Sequence, residues 1–376
     1  MKTEPVIIVV GAGIFGVSLA NHLARGKENI KVKLVNPSIY AYFLPSAVRL
    51  TVSNDYGSSV IALKKVLDPE VNFIKDRVAS FTKKDITLES GPVLPFDALV
   101  IATGSRWPDP IGSTSIFEDN FESYFKTQLD RIKEAKHIVF IGGGYINTEI
   151  TGELIYKYGK EIRSGEKKVS IIHSSDRLLP NDGKYGNSLR DKVTKHLADN
   201  GIDIILNSKG SISPDNPNRV ILQGSEHDFI DGDVIYEGTG ISPNVPHNEI
   251  PKLCDERGFI RVRKTFQAEA VEEGCIFAIG DVTNFEYHGL LKRDNWINTI
   301  TRNVVSYLNG SSSGQLASAS TYEGGPVPAA VSLGPEAGHG QFPVPYFGTF
   351  SISSFAVVHL KSKELLREKM EPMYAK

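Results

Sequence analysis

An α/β fold with two parallel-sheet domains, the second inserted in the first, is what the sequence predicts, and two observations carry the prediction. Val6–Val10 is a continuous apolar, β-branched run that leads into Gly11-Ala12-Gly13-Ile14-Phe15-Gly16. His137–Ile141 leads in the same way into Gly142-Gly143-Gly144-Tyr145-Ile146-Asn147. A strand apolar throughout is buried on both faces of a parallel sheet. A glycine loop between such a strand and a helix lets backbone N–H groups meet a pyrophosphate at the helix N-terminus. One loop suggests one nucleotide. Two, each followed by another short apolar strand, suggest two Rossmann-like dinucleotide-binding units, with a flavin and a nicotinamide cofactor as the natural pair.

Taken in order, Val17–Arg25 reads as the first helix and Lys31–Asn36 as its paired strand. The second unit repeats this with a helix from about 145 to 158 and a strand at Val169–His173. Phe96–Gly104, Val234–Asn244 and Ile276–Asp281 are short apolar strands ending in glycine and small polar residues, so the chain is expected to return to the first sheet after visiting a second. That places a discontinuous first domain at 1–112 and 241–310 and the inserted domain at 113–240. Residues 311–376 are left as linker and C-terminal segment. Within them Asn309–Thr321 is rich in Ser, Gly and Ala and reads as a flexible linker. Gly334 to Phe347 carries Gly/Pro-rich loops, and Phe355–Met370 is a last helix with Lys and Arg among its apolar residues.

Composition limits the alternatives. With 376 residues, 40% hydrophobic and 23% charged, the chain is long and apolar enough for two cores. A net charge of −2 gives no strong nucleic-acid signal. Cys254 and Cys275 have no CxxC spacing, so no disulfide framework is called for. No apolar run approaches the roughly 18 residues of a membrane span. Met1-Lys2-Thr3-Glu4-Pro5 shows no secretory or transit pattern, Lys2 stands where myristoylation needs glycine, and Met373–Lys376 is no prenylation box. An intracellular protein is expected, cytoplasmic by default, with mitochondrial or peripheral membrane association open and secretion excluded.

The residues that carry chemistry cluster at the loops. Gly11 and Gly13 suit a tight turn and close approach to a pyrophosphate, and Gly16 suits helix–strand packing. At the strand end where an acid for the ribose is usual stands Asn36, an amide without charge-assisted strength. Asn147 replaces the third glycine of the second loop. Glu149 and Glu153 share a helical face, and Glu149 lies one turn in, near the entry of a nicotinamide; the bland alternative for both is a solvated carboxylate. His173-Ser174-Ser175, then Asp176 and Arg177, close the paired strand. Asp176 comes late to exclude a 2′-phosphate, and the hydroxyls with Arg177 could accept one, so NADH and NADPH are both allowed.

Together, Gly11–Gly16, Ala102-Thr103-Gly104, Gly142–Glu153, Thr239-Gly240-Ile241-Ser242-Pro243-Asn244 and Gly280-Asp281 resemble the two-dinucleotide-domain flavoprotein family of the pyridine nucleotide–disulfide reductase fold. Tyr42 to Arg49, Gly340-Gln341-Phe342-Pro343 and Lys361 to Leu366 are similar to its apoptosis-inducing-factor-like branch, which includes fungal homologues and ferroptosis-suppressor NAD(P)H:quinone oxidoreductases. The resemblance implies FAD with its pyrophosphate at Gly11, Ala12, Gly13 and Gly16 and its adenosine near Asn36 and Val78. Ala102, Thr103 and Gly104 would line it, Asp281 would bond the ribityl chain, and Arg49 joins the cofactor-binding set. Asp281 also fits a helix N-cap if a helix begins at Val282. NADH or NADPH would lie across Gly142, Gly144, Asn147, His173 and Gly240. Glu149 and Lys361 are the catalytic candidates, and no metal is implied. Disulfide reductases of this fold use a CxxC or CxxxxC; the chain has neither, so a dithiol relay is excluded. The expected function is an FAD-dependent NAD(P)H oxidoreductase with a quinone-type acceptor, as monomer or homodimer. Peripheral membrane contact through an amphipathic 355–370 helix is open. The alternatives are a slow flavin redox switch in cell-death signalling and a ferredoxin- or rubredoxin-type reductase.

Overall fold

Val6–Val10 lies at the centre of a five-stranded sheet, between Lys31–Asn36 and Ala98–Ile101, with Asn72–Lys75 and Ile276–Ala278 at the edges. Every pairing is parallel, and each residue of Ile7–Val9 is fully buried, as an apolar run without alternation requires. The computed structural model describes residues 4–112, 119–238, 240–286, 290–311, 313–321, 326–344 and 346–375; Thr239 lies outside them. A second parallel sheet has the order Asp203–Ile205, Lys168–Ile172, His137–Ile141, Val234–Glu237. The strand Ile276–Ala278 joins the first sheet only after the chain has left the second, and Ser242–Pro243 pairs back onto Ser105–Arg106 between them.

Helix Ile14–Ala24 starts earlier than the apolar periodicity suggested, because Gly13 is its N-cap. Its inner face meets Phe277, Trp296 and Ile300 in one core. Helix Tyr145–Ser164 runs past 158, with a kink at Tyr158 (φ −122°, ψ 20°), and packs Ile150 and Leu154 beside Phe140 and Ile171. Burying one such Ile or Leu contributes about 1.5–3 kcal/mol. No helix begins at Val282; the next helical residues are a 3-10 turn at Leu290–Lys292 leading into helix Arg293–Leu308, so Asp281 is not a helix N-cap.

The C-terminal segment departs most from expectation. The Ser/Gly/Ala stretch is anchored rather than free. Asn303 donates to the Ala317 carbonyl (2.7 Å) and accepts from its N–H (2.8 Å), and Leu316 and Ala319 are buried. Ala329–Ser332, Gly338–Val344 and Gly348–Ile352 form an antiparallel sheet. The single helix expected over 355–370 is absent. A short helix, Ser354–Val357, widens into a π turn over Val358–Ser362, left-handed Leu365 (φ 46°) and Leu366 (φ 63°) reverse the chain, and a separate helix runs Arg367–Ala375. The break occurs because the apolar residues are used inward at different places: Val357, Leu365, Met370 and Tyr374 are all buried. The amphipathic helix that membrane contact would have used is therefore not formed. No helix among the described residues is long and apolar enough to cross a membrane.

Candidate functional site: a cavity between two glycine loops

Both glycine loops open onto one cavity of about 1760 Å³. Gly11 has φ +101°, and a Cβ there would meet the Ala102 carbonyl oxygen at 2.5 Å. At Gly16 a Cβ would lie 1.9 Å from the Gly11 carbonyl oxygen, so this glycine serves packing and does not itself line the cavity. Gly13 is different. Its φ is −71°, accessible to any residue, and a Cβ would meet no protein atom within 4 Å. Neither strain nor packing explains a glycine here; room for a ligand does. Gly144 in the second loop has the same backbone (φ −72°), and only Gly238 oxygen, 4.0 Å away, approaches its Cβ position. Both helices start without a side-chain cap or an acid in the first turn, which leaves their N–H groups for an anion.

The two strand ends match each other residue for residue. Asn36 Oδ1 accepts the Ala12 N–H at 2.9 Å, and its Nδ2 donates to the Ser38 carbonyl. In the second unit His173 Nδ1 accepts the Gly143 N–H at 3.1 Å. Each neutral side chain braces the second residue of its loop. Burial holds the His173 pKa below the usual histidine range, and with Nδ1 accepting, the ring proton sits on Nε2. Asn147 likewise turns its amide onto the loop, donating to the Gly142 carbonyl at 2.8 Å.

Val78, Ala102, Thr103, Gly104 and Asp281 line the first half of the cavity, with Asn36 and the first loop. Asp281 accepts from Ser105 Oγ at 3.2 Å. The Thr103 hydroxyl is buried without a partner among the described residues, a polar group awaiting a ligand. Gly142, Gly144, Asn147, His173 and Gly240 line the other half, where the Ser208 hydroxyl is also buried and unpartnered. These features fit an FAD in the first half and a second dinucleotide in the other. Arg177 does not line the cavity; it is paired with Asp176 and, at 2.5 Å, with Asp191.

Between the halves stand Glu149 and Lys361. Lys361 Nζ donates to Glu149 Oε1 (2.7 Å), the Tyr145 hydroxyl (2.8 Å) and the Ala330 carbonyl (3.1 Å), while Ser332 N–H also bonds Glu149 Oε1 (2.7 Å). Glu149 is 2% exposed, so it is no solvated carboxylate. Burial raises its pKa above the usual range, against the opposing pull of Lys361 and the Ser332 N–H. Glu153, one turn on, is also buried, and its pKa is raised by burial against the pull of Arg49.

Arg49 is corrected as a cofactor ligand. It lies off the cavity lining, with Nη2 2.9 Å from Glu153 Oε1, because a buried carboxylate next to it takes the guanidinium. Two cavity residues used here went unread in the sequence: Tyr145, which sits inside the second loop motif and could have been found there, and Tyr374, which carries no local signal. Ser332, whose N–H holds Glu149 from off the cavity lining, carries none either. Cys254 and Cys275 do not line the cavity.

Fold and cavity together define a two-dinucleotide oxidoreductase. The chain belongs to the pyridine nucleotide-disulphide oxidoreductase family, which it matches over residues 5–314. It is 54% identical over 371 residues to apoptosis-inducing factor 1 of Saccharomyces cerevisiae, covering 98% of both chains, so the resemblance read from the motifs is borne out. Among solved structures it is similar to the sulfide:quinone oxidoreductase of Aquifex aeolicus, with a TM-score of 0.76 and 17% identity over 99% of this chain and 92% of that one. It is also similar to NDH2 of Plasmodium falciparum in complex with NADH, with a TM-score of 0.69 and 13% identity over 98% and 97% of the two chains. At these identities the two structures show the fold alone.

Proposed function

We propose that the chain is an FAD-dependent NAD(P)H oxidoreductase whose electrons go to a quinone-type acceptor. The observation that carries the reading is one continuous cavity joining two uncapped glycine-loop helices, with the Glu149–Lys361 pair between them. Bound there, FAD would take a hydride from NAD(P)H and supply electrons to the acceptor.

The chain's own residues orient and protonate. The helix N-termini would hold the pyrophosphates, and the loop glycines would let the backbone approach them. The C-terminal segment roofs the cavity with Leu360, Lys361 and Phe342, and the half-exposed Leu360 and Phe342 give the mouth an apolar lip suited to a ring with a hydrophobic tail. Lys361 already engages its N–H groups with Glu149, Tyr145 and Ala330. An acceptor oxygen would replace the Ala330 carbonyl, the longest of the three contacts, and could there receive a proton from the ammonium.

The test is anaerobic mixing of the FAD-loaded protein with NADH or NADPH, followed by a short-chain quinone. Bleaching of the flavin absorbance and rapid recovery on quinone addition is the expected result, and Lys361→Met should slow the recovery about a hundredfold. Bleaching with slow recovery and a persistent charge-transfer band would favour the redox-switch reading. Recovery only with a small iron–sulfur protein would favour the ferredoxin-reductase reading.

A further inference from the structure

We propose that Arg49 is the positioning residue for Lys361, gripping the backbone that follows it and so seating the cavity roof on the second domain's helix. The inference rests on the proposed role of Lys361.

Arg49 lies in the turn Val48–Thr51, far from the C-terminal segment in sequence. Its Nη1 donates to the Lys363 carbonyl and its Nη2 to the Ser362 carbonyl, each at 2.7 Å. Nε and Nη2 also bond Glu153 Oε2 and Oε1, at 3.1 and 2.9 Å. The two carbonyls belong to the end of the turn Val358–Ser362, where a helical segment leaves its last C=O groups without internal partners. Arg49 supplies these donors from another part of the chain, and its positive charge suits the negative end of a helix.

The placement has a consequence for the site. Glu149 and Glu153 are one turn apart on the same helix, and each holds the C-terminal segment. Glu149 does so directly through Lys361; Glu153 does so by orienting Arg49. On the C-terminal segment Arg49 bonds peptide oxygens next to Lys361 rather than side chains, so it fixes where the Lys361 backbone lies. A lysine could supply the charge but not the planar fork that reaches a carboxylate and two carbonyls at once. First domain, second domain and roof therefore meet at one guanidinium.

Arg49→Met alone would leave Glu153 buried without its partner and could unfold the protein. The double variant Arg49→Met/Glu153→Gln and the single variant Arg49→Lys avoid that. In FAD-loaded full-length protein, two readouts are needed. Hydrogen exchange of residues 354–366 should accelerate in both variants. The kcat with a short-chain quinone should fall about tenfold or more with the KM for NADH little changed, since small misplacements of a reacting group are costly. Arg49→Lys should not restore it, and adding Lys361→Met should cause little further loss. Unchanged exchange, or full additivity with Lys361→Met, would overturn the proposal. If Lys361→Met itself turns over like the parent, the reading of Lys361 fails, while the exchange data still decide whether Arg49 positions the segment.

Discussion

At the scale of single residues, Gly13 and Gly16 separate ligand binding from folding. Gly13→Ala adds a methyl group where no protein atom lies within 4 Å, so the melting temperature of the apoprotein should hold while FAD content drops. Gly16→Ala forces a Cβ to 1.9 Å from the Gly11 oxygen and should destabilise the protein by about 1–3 kcal/mol or more, seen in the melt before any cofactor is added. Donor choice is argued at the same scale. His173, Ser174, Ser175 and Lys209 line the second half of the cavity, where the proposed reading puts the adenosine of the donor, and the nearby Asp176 is already paired with Arg177 and Arg190. NADPH should therefore be accepted, and Lys209→Glu should raise its KM about tenfold relative to that of NADH, the loss of roughly one charged hydrogen bond. Equal effects on both donors would count against a 2′-phosphate contact. The glycines were legible because a buried strand, a glycine loop and a helix are contiguous. The partner of Glu149 was not legible by any such pattern, since Lys361 lies 212 residues away.

At the scale of elements, the seam between helix Asn187–Asp199 and strand Gly338–Val344 carries a pH dependence. His196 and His339 meet edge to face with ring centroids 5.7 Å apart. Burial lowers both pKa values below 6.5, with His196 and Lys192 adding to the effect at His339 and Asp199 opposing it at His196. A depressed folded pKa means stability that is present above 6.5 and lost as pH falls through the folded values. Thermal melts over about pH 5 to 7 should show a steeper loss in the parent than in His339→Gln. Sheets and helices of the two glycine-loop units were legible because their apolar runs are local. The 355–370 segment misled because its interleaved Lys and apolar residues look like one amphipathic helix. Its apolar residues instead divide between two cores, Leu365 in one and Met370 in the other, which no helical wheel can display.

At the scale of the whole molecule, the cofactor cavity is closed by parts far apart in the chain. Gln341 donates to the Lys184 and Val327 carbonyls and accepts from Gly186 N–H, tying the hairpin to the second domain. At the other end Ser18 Oγ bonds the Met373 carbonyl and Asn21 bonds that of Tyr374, so the last helix packs on the first. Tyr374 is fully buried, lines the cavity and donates its hydroxyl to the Tyr42 carbonyl. Tyr374→Ala should cost about 3 kcal/mol, and calorimetry with an FAD titration should show weaker flavin retention as well. The helix proposed to receive the FAD pyrophosphate precedes by far in the chain the wall it needs, which includes a residue 353 positions after Asn21. A ribosome adding residues from the N-terminus exposes the glycine loop long before that wall exists. If the loop holds FAD as proposed, a nascent or truncated polypeptide lacking Tyr374 would present the loop without that part of the wall.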